Sequence, residues 1–108
     1  MLRLMIVDDE QIIREALSSM IDYTSLGYEV IATAKNGMEA YDRIRDDYPD
    51  VVITDIKMPI LNGLELIERA SRIDSRITFI LLSGYGEFEY AKQAMKYGVR
   101  YLSLIHIS

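Results

Sequence analysis

The fold of the chain is decided by the stretch VVITDIKMP, residues 51–59. A short, continuously apolar run of this kind predicts a strand that is covered on both faces, as in parallel sheets. Asp55 would then lie at the carboxyl end of the strand, where open α/β sheets bind their ligands. For an isolated aspartate, capping of a turn would be the simpler interpretation. A second apolar strand candidate, however, runs directly into Asp8 and Asp9, and this repetition favours a functional site.

Length and composition narrow the possible functions. The chain has 108 residues, half of them apolar, and a net charge of −5, which predicts a single domain over residues 1–108. A protein that binds nucleic-acid phosphates usually has a basic face, so we expect no direct DNA binding by this segment. The sequence has no cysteine, which excludes disulfides and cysteine-bound zinc. Without a signal peptide or a membrane-length apolar stretch, we expect no membrane contact and a cytoplasmic location.

Apolar runs alternate along the chain with apolar residues at helical spacing. The predicted strands span residues 4–7, 28–34, 51–55, 77–82 and 99–102, and the predicted helices lie over residues 12–21, 38–44, 64–70 and 88–95. We expect Gly27 to end the first helix in a left-handed conformation and Pro49 to follow the second. This alternation predicts an α/β fold, with a parallel sheet between two layers of helices.

Several strand orders are compatible with that alternation. In the flavodoxin-like, doubly wound order 2-1-3-4-5, strands one and three are neighbours, and their ends bring Asp8, Asp9 and Asp55 together. Three carboxylates so close repel one another, and a bound cation relieves the repulsion. An all-oxygen ligand set favours Mg²⁺. The alternative is that Asp8 and Asp9 form only an acidic helix N-terminus, which the helix dipole stabilises. A nucleotide site is not expected, because no glycine-rich loop follows the first strand.

Five separated motifs resemble the receiver domain of two-component response regulators, and they occur in the right order over nearly the whole chain. They are Val7-Asp8-Asp9-Glu10, the strand that ends at Asp55, Met58-Pro59, Asn62-Gly63 and Ser83-Gly84. Residues 86–94 together with residues 26–28 resemble a narrower group, the receivers joined to AraC-type helix-turn-helix DNA-binding domains. This resemblance implies that DNA is reached only through an output domain outside this chain, and that the output is transcription regulation.

The resemblance also implies roles for individual residues. Asp55 is similar to the phosphoacceptor, which takes a phosphoryl group from a sensor histidine kinase. Asp9 resembles the direct Mg²⁺ ligand, Asp8 its partner acting mainly through water, and the backbone carbonyl of Lys57 a further ligand. By the same resemblance the chain is not an enzyme in the ordinary sense, because it catalyses only its own phosphoryl transfer and the slow loss of that group.

Two further residues resemble the switch of the family. Ser83 matches the hydroxyl that moves to meet the phosphoryl group, and Tyr101 matches the aromatic residue on strand five that rotates with it. Physically, an aspartyl phosphate brings up to about two negative charges to one strand end, which can draw in a small hydroxyl donor. Taken without the resemblance, Ser83 would be a turn-capping residue and Tyr101 an ordinary strand residue.

The end of the chain departs from the family pattern. Leu104 stands where a receiver usually has a lysine that pairs with the phosphoryl group, so this part of the switch departs from the family. The final helix is missing as well. An absent helix would leave apolar sheet surface uncovered, and we therefore expect self-association or a homodimer through this face, aided by the apolar tail. The tail residues are Leu102, Leu104, Ile105 and Ile107.

Two alternative functions remain. The first is a degenerate receiver that binds partners without phosphorylation, which the missing lysine favours and the three aspartates oppose. The second is a phosphatase of the haloacid dehalogenase type, which also forms an aspartyl phosphate. That class places an acid two residues after its nucleophile, whereas this chain has Lys57 there.

Overall fold

A four-stranded parallel sheet forms the centre of the computed structural model, which describes residues 1–82. Its strands are β1 (Leu2–Val7), β2 (Tyr28–Ala34), β3 (Val51–Asp55) and β4 (Thr78–Leu82). The order is β2-β1-β3-β4 and every pair is parallel, which confirms the predicted flavodoxin-like α/β fold. The predicted fifth strand and fourth helix, with Ser83 and Tyr101, lie outside the described residues.

Three α-helices connect these strands, and a short 3-10 turn follows the first of them. They are α1 (Gln11–Met20), α2 (Gly37–Asp47) and α3 (Gly63–Ile73), and the 3-10 turn spans Thr24–Leu26. No helix within residues 1–82 is long and apolar enough to cross a membrane.

The expected left-handed conformation of Gly27 is confirmed, but the expectation that Gly27 ends the first helix is wrong. The helix ends earlier, at Met20, and Ile21 is already extended, whereas Gly27 has a φ of 88° and ends the 3-10 turn. The cause lies in Tyr23, which is buried and donates its hydroxyl to the carbonyl of Leu17 at 2.7 Å. That bond satisfies one of the carbonyls that a helix leaves unpaired in its last turn, so the chain can leave the helix here.

The two faces of the sheet pack against different helices. Met5, Val7 and Val52 point into one apolar cluster with α2 and α3. Leu4 and Ile6 point to the opposite face, which Tyr23 and the partly buried Leu17 cover. Because successive side chains of a strand alternate between faces, coverage on both sides requires continuously apolar strands. This requirement explains why the sequence runs apolar up to the point where each inner strand ends in aspartate.

Close backbone contacts fix the start of α3 against the end of β3. The amide of Gly63 donates to the carbonyl of Ile56 at 2.7 Å. A Cβ atom at Gly63 would collide with the carbonyl oxygen of Asp55. Only glycine therefore allows α3 to begin this close to the strand end that carries Asp55.

We predict that Gly63→Ala destabilises the protein by about 1–3 kcal/mol, because the added methyl forces the backbone at Asp55 and the start of α3 apart. Chemical denaturation measures the loss, and amide NMR signals of residues 55–57 should shift. Gly27→Ala is the control, since open space surrounds that position and the alanine would be strained only by the positive φ. It should cost stability without moving the signals of residues 55–57. Unchanged stability and unchanged signals in Gly63→Ala would contradict the close packing.

Candidate functional site

The register of the two inner strands places two aspartates side by side. β1 and β3 pair from Leu4 opposite Val51 to Val7 opposite Thr54. Asp8 directly follows β1 and Asp55 is the last residue of β3, so both lie at the carboxyl edge of the sheet. Helix α1 covers one face of the sheet and α2 and α3 cover the other. The two aspartates therefore stand where the connections change sides, which is the usual ligand site of an open α/β sheet.

Asp8 is buried, with 3% of its surface exposed, and is held through three different groups. Its amide donates to the carbonyl of Ala34 at 3.1 Å. Its Oδ1 accepts the amide of Glu10 at 2.9 Å, and its carbonyl oxygen accepts from Nη1 of Arg14 at 2.7 Å. These bonds fix both the backbone and the carboxylate of Asp8 at the end of β1.

Burial raises the pKa of the Asp8 carboxyl above its ordinary value, because the charged form loses water. The hydrogen bond from the Glu10 amide opposes this rise, and the negative charges of Asp9 and Glu10 add to it. The positive charge of Arg14 lowers the pKa. The ionised site is therefore costly in the absence of a cation.

The carboxylates of the β1–α1 loop converge. One oxygen from each of Asp8, Asp9 and Glu10 lies within 4.8 Å of the others, and Asp9 and Glu10 are exposed. This oxygen-only, partly open donor set fits Mg²⁺, which binds a few carboxylates and keeps several waters. Sequence reasoning did not single out Glu10, although its place as the third acid in the run was a signal. Among residues 1–82, this converging group does not include Asp55.

Asp55 is half-buried and anchored to its own loop. Its Oδ1 accepts the amide of Ile56 at 2.8 Å, and the hydroxyl of Thr54 donates to its carbonyl at 2.9 Å. Lys57 follows with an exposed side chain. An open cavity of about 390 Å³ lies against this loop, and its lining includes Ile56, Lys57, Met58, Pro59 and Asn62.

The loop after Asp55 is strained at one residue and capped at its end. Ile60 has a φ of 71° with 82% of its surface exposed, a conformation that a β-branched residue rarely adopts. Asn62 then starts α3 with a capping box: its Oδ1 accepts the amide of Glu65 at 2.9 Å, and Glu65 accepts the amide of Asn62 at 3.1 Å. The cap and the Gly63 contact together hold the loop in place despite the strain at Ile60.

These features define a doubly wound domain with an acidic site at the carboxyl ends of its two inner strands. Residues 4–103 match the family model of the response regulator receiver domain. The chain therefore belongs to the response regulator receiver family, which confirms the resemblance drawn from the sequence motifs.

Solved structures show the same fold. The chain is similar to the REC domain of AraT, a response regulator from Geobacillus stearothermophilus, with a TM-score of 0.88 and 36% identity over 95% of this chain and 80% of that one. It is also similar to the structure of a CheX-CheY-BeF3-Mg²⁺ complex from Borrelia burgdorferi, with a TM-score of 0.85 and 26% identity over 99% of this chain and 80% of that one.

The curated relatives are longer than this chain. It is 49% identical over 104 residues to the transcriptional regulatory protein YesN of Bacillus subtilis, a match that covers 96% of this chain and 28% of YesN. It is 40% identical over 99 residues to the transcriptional regulatory protein HptR of Staphylococcus aureus, which covers 92% of this chain and 38% of HptR. The chain thus spans well under half the length of these relatives.

We predict that Asp8→Asn stabilises the protein in EDTA at neutral pH. The raised pKa means that the folded state binds a proton more tightly than the unfolded chain, whose carboxyl has a pKa near 3.8. The stability from protonation is therefore present below pH 3.8 and is lost as the pH rises through the folded-state pKa. Asparagine removes the charge and keeps an oxygen for the Glu10 amide.

Thermal unfolding across a pH series measures this effect. The advantage of Asp8→Asn over the parent should be full at neutral pH and should shrink as the pH falls toward the pKa of the unfolded carboxyl. Asp46→Asn, at an exposed position of α2, is the matched control and should show no such dependence. If Asp8→Asn is less stable than the parent at neutral pH in EDTA, the charge of Asp8 does not destabilise the folded state.

Proposed function

We propose that this receiver domain is a phosphorylation-controlled switch in which Asp55 accepts a phosphoryl group from a sensor histidine kinase. The observation that carries the proposal is the strand register, which brings Asp55 to the same edge of the sheet as the buried Asp8. The carboxylates of Asp9 and Glu10 converge with that of Asp8. Both the acceptor and a cation site would then lie at one edge of the sheet. The family supports phosphorylation-dependent signalling in general.

In this proposal Asp8, Asp9, Asp55 and the backbone carbonyl of Lys57 hold Mg²⁺. Glu10 is a further candidate, because its carboxylate converges with those of Asp8 and Asp9. Bound there, the ion would neutralise charge on the phosphoryl oxygens, which supplies much of the catalysis in phosphoryl transfer. The similar structure from Borrelia burgdorferi is a CheX-CheY complex with BeF3 and Mg²⁺, which supports the cofactor assignment.

Phosphoryl transfer to Asp55 requires little from the protein beyond holding the reacting carboxylate in position. A carboxylate oxygen of Asp55 forms a bond to phosphorus while the bond from phosphorus to the donor's histidine nitrogen breaks, and that nitrogen keeps the electron pair. Two hydrogen bonds hold Asp55 in place for this attack. The Ile56 amide donates to the Asp55 carboxylate, and the Gly63 amide donates to the Ile56 carbonyl. The product stays attached to the chain, so the domain acts as a switch rather than as an ordinary enzyme.

The output side of the proposal reaches beyond the described residues. Ser83 and Tyr101 would move in response to the phosphoryl group and carry the signal. YesN and HptR are named transcriptional regulatory proteins, which supports a DNA-binding output through a segment outside this chain. We place the protein in the cytoplasm, where a sensor kinase can reach it.

Asp55→Asn should abolish phosphorylation. Treatment with acetyl phosphate and MgCl2 should add one phosphoryl group to the parent, read by intact mass, and EDTA should prevent it. Asp46→Asn removes a carboxylate at an exposed position of α2 and should be modified like the parent.

Three other results would each contradict the proposal in a different way. Equal modification of Asp55→Asn would move the acceptor elsewhere. An unmodified parent would favour a degenerate receiver that acts without phosphorylation. Continuous release of phosphate from a generic phosphoester would favour a phosphatase of the haloacid dehalogenase type.

Self-association is part of the same proposal. Apolar side chains lie exposed on and after α1, with 78% of Ile12, 81% of Met20 and 65% of Leu26 accessible. Helix α1 also has no fully buried residue. A second copy of the chain would remove this apolar surface from water.

We predict that the sedimentation coefficient rises with protein concentration, and that Met20→Lys weakens this rise. Ile60→Lys is the matched control, because Ile60 is equally exposed but lies on the acceptor loop. A parent that remains monomeric at high concentration would contradict self-association. Equal weakening by both variants would contradict the assignment to α1.

A further inference from the structure

Arg14 spans the acidic loop that precedes it. Its backbone amide donates to the carbonyl of Glu10 at 3.1 Å, in the first turn of α1. Its side chain folds back, and Nη1 donates to the carbonyl of Asp8 at 2.7 Å. Arg14 therefore forms hydrogen bonds to both ends of the 8–10 segment, at Asp8 and at Glu10.

The bond from Arg14 goes to a backbone carbonyl, so it consumes none of the carboxylate oxygens of the loop. Asp8 is then held by its amide, by its carboxylate and by its carbonyl, and Arg14 supplies the third of these restraints. Hydrogen bonds from a charged donor are stronger than neutral ones. The bond from Arg14 therefore fixes the loop without using any of its carboxylate oxygens.

The surroundings of Arg14 do not force this arrangement. An open cavity of about 270 Å³ lies beside it, and its lining includes Gln11, Glu15, Ser18 and Thr33. The guanidinium has room to swing away from the loop, so its position depends on the bond to Asp8 rather than on confinement. A shorter or uncharged side chain can therefore replace Arg14 without a clash.

We propose that Arg14 is a positioning residue, which holds the 8–10 loop in the conformation where its carboxylates converge and thereby strengthens Mg²⁺ binding. This inference rests on the metal site of the proposed function. Arg14 is not one of the proposed Mg²⁺ ligands, and it acts through the carbonyl of Asp8.

The proposal and simple electrostatics predict opposite changes in Mg²⁺ affinity when Arg14 is removed. A positive charge near a cation site repels the cation, so removal of Arg14 would tighten Mg²⁺ binding if charge were its only effect. If Arg14 instead orients the ligands, its removal weakens binding, as happens when the groups that orient metal ligands are lost. The direction of the change in affinity separates the two effects.

Calorimetric titration of MgCl2 into the parent and its variants measures the direction of this change in affinity. Arg14→Met should weaken Mg²⁺ binding on the order of tenfold, by the usual effect of losing a group that orients metal ligands. Arg14→Lys keeps a charged donor and should fall between Met and the parent. Arg69→Met makes the same charge change at an exposed position of α3 and should bind like the parent. Binding by Arg14→Met as tight as that of the parent, or tighter, would overturn the proposal.

Amide hydrogen exchange in EDTA gives a second readout that needs no metal. The amides of Asp8 and Glu10, which bond to Ala34 and to the Asp8 carboxylate, should exchange faster in Arg14→Met than in Arg69→Met. Unchanged exchange at both amides would also overturn the proposal. If Arg14→Met does not fold, Arg14→Lys carries both measurements.

Mg²⁺ binding by Asp9→Ala shows whether a negative result refutes only the role of Arg14 or the proposed metal site as a whole. Loss of Mg²⁺ binding in Asp9→Ala, with parent-like binding in Arg14→Met, would leave the metal site intact and refute the role of Arg14. Equal binding by Asp9→Ala and the parent would refute the metal site itself. In that case the exchange rates alone decide whether Arg14 positions the loop.

Discussion

The parallel pairing of β1 with β3 is the constraint on which the site depends. Because Val7 lies opposite Thr54, the residues that follow, Asp8 and Asp55, reach the same edge of the sheet from adjacent strands. A slip of one residue would turn each apolar side chain to the opposite face and would separate the two aspartates. The apolar cores on the two faces therefore set the register, and the register assembles the chemistry.

The ionised form of Asp8 is destabilised by its surroundings, while nearby contacts hold Asp8 and Asp55 in position. Burial of Asp8 among acidic neighbours raises its pKa and destabilises the ionised form, a cost that a bound cation would offset. The supports are the close packing of Gly63 against the backbone of Asp55 and the hydrogen bond from the Arg14 side chain to the Asp8 carbonyl. Both contacts are made to backbone atoms, so they do not use the carboxylate oxygens that the proposed cation would need.

Much of this arrangement could be predicted from the sequence, because strands covered on both faces are continuously apolar and the acids follow them directly. The strand order and the position of Asp8 and Asp55 at strand ends agree with that reasoning. The end of α1 was mispredicted, since the Tyr23 hydroxyl bond that closes the helix depends on tertiary packing. The proposed roles of Glu10 and Arg14 depend on the directions of their side chains, which the periodicity of the sequence does not specify.

Paramagnetic broadening of amide NMR signals by Mn²⁺, used in place of Mg²⁺, tests the shared site most directly. We expect the signals of residues 8–10 and 55–57 to disappear together at the lowest Mn²⁺ concentration. Signals at the opposite end of the sheet, around Asp50 and Asp74, should persist, although acids are present there too. Broadening of residues 8–10 without residues 55–57, or uniform broadening over all acidic segments, would contradict a single site built by the β1–β3 register.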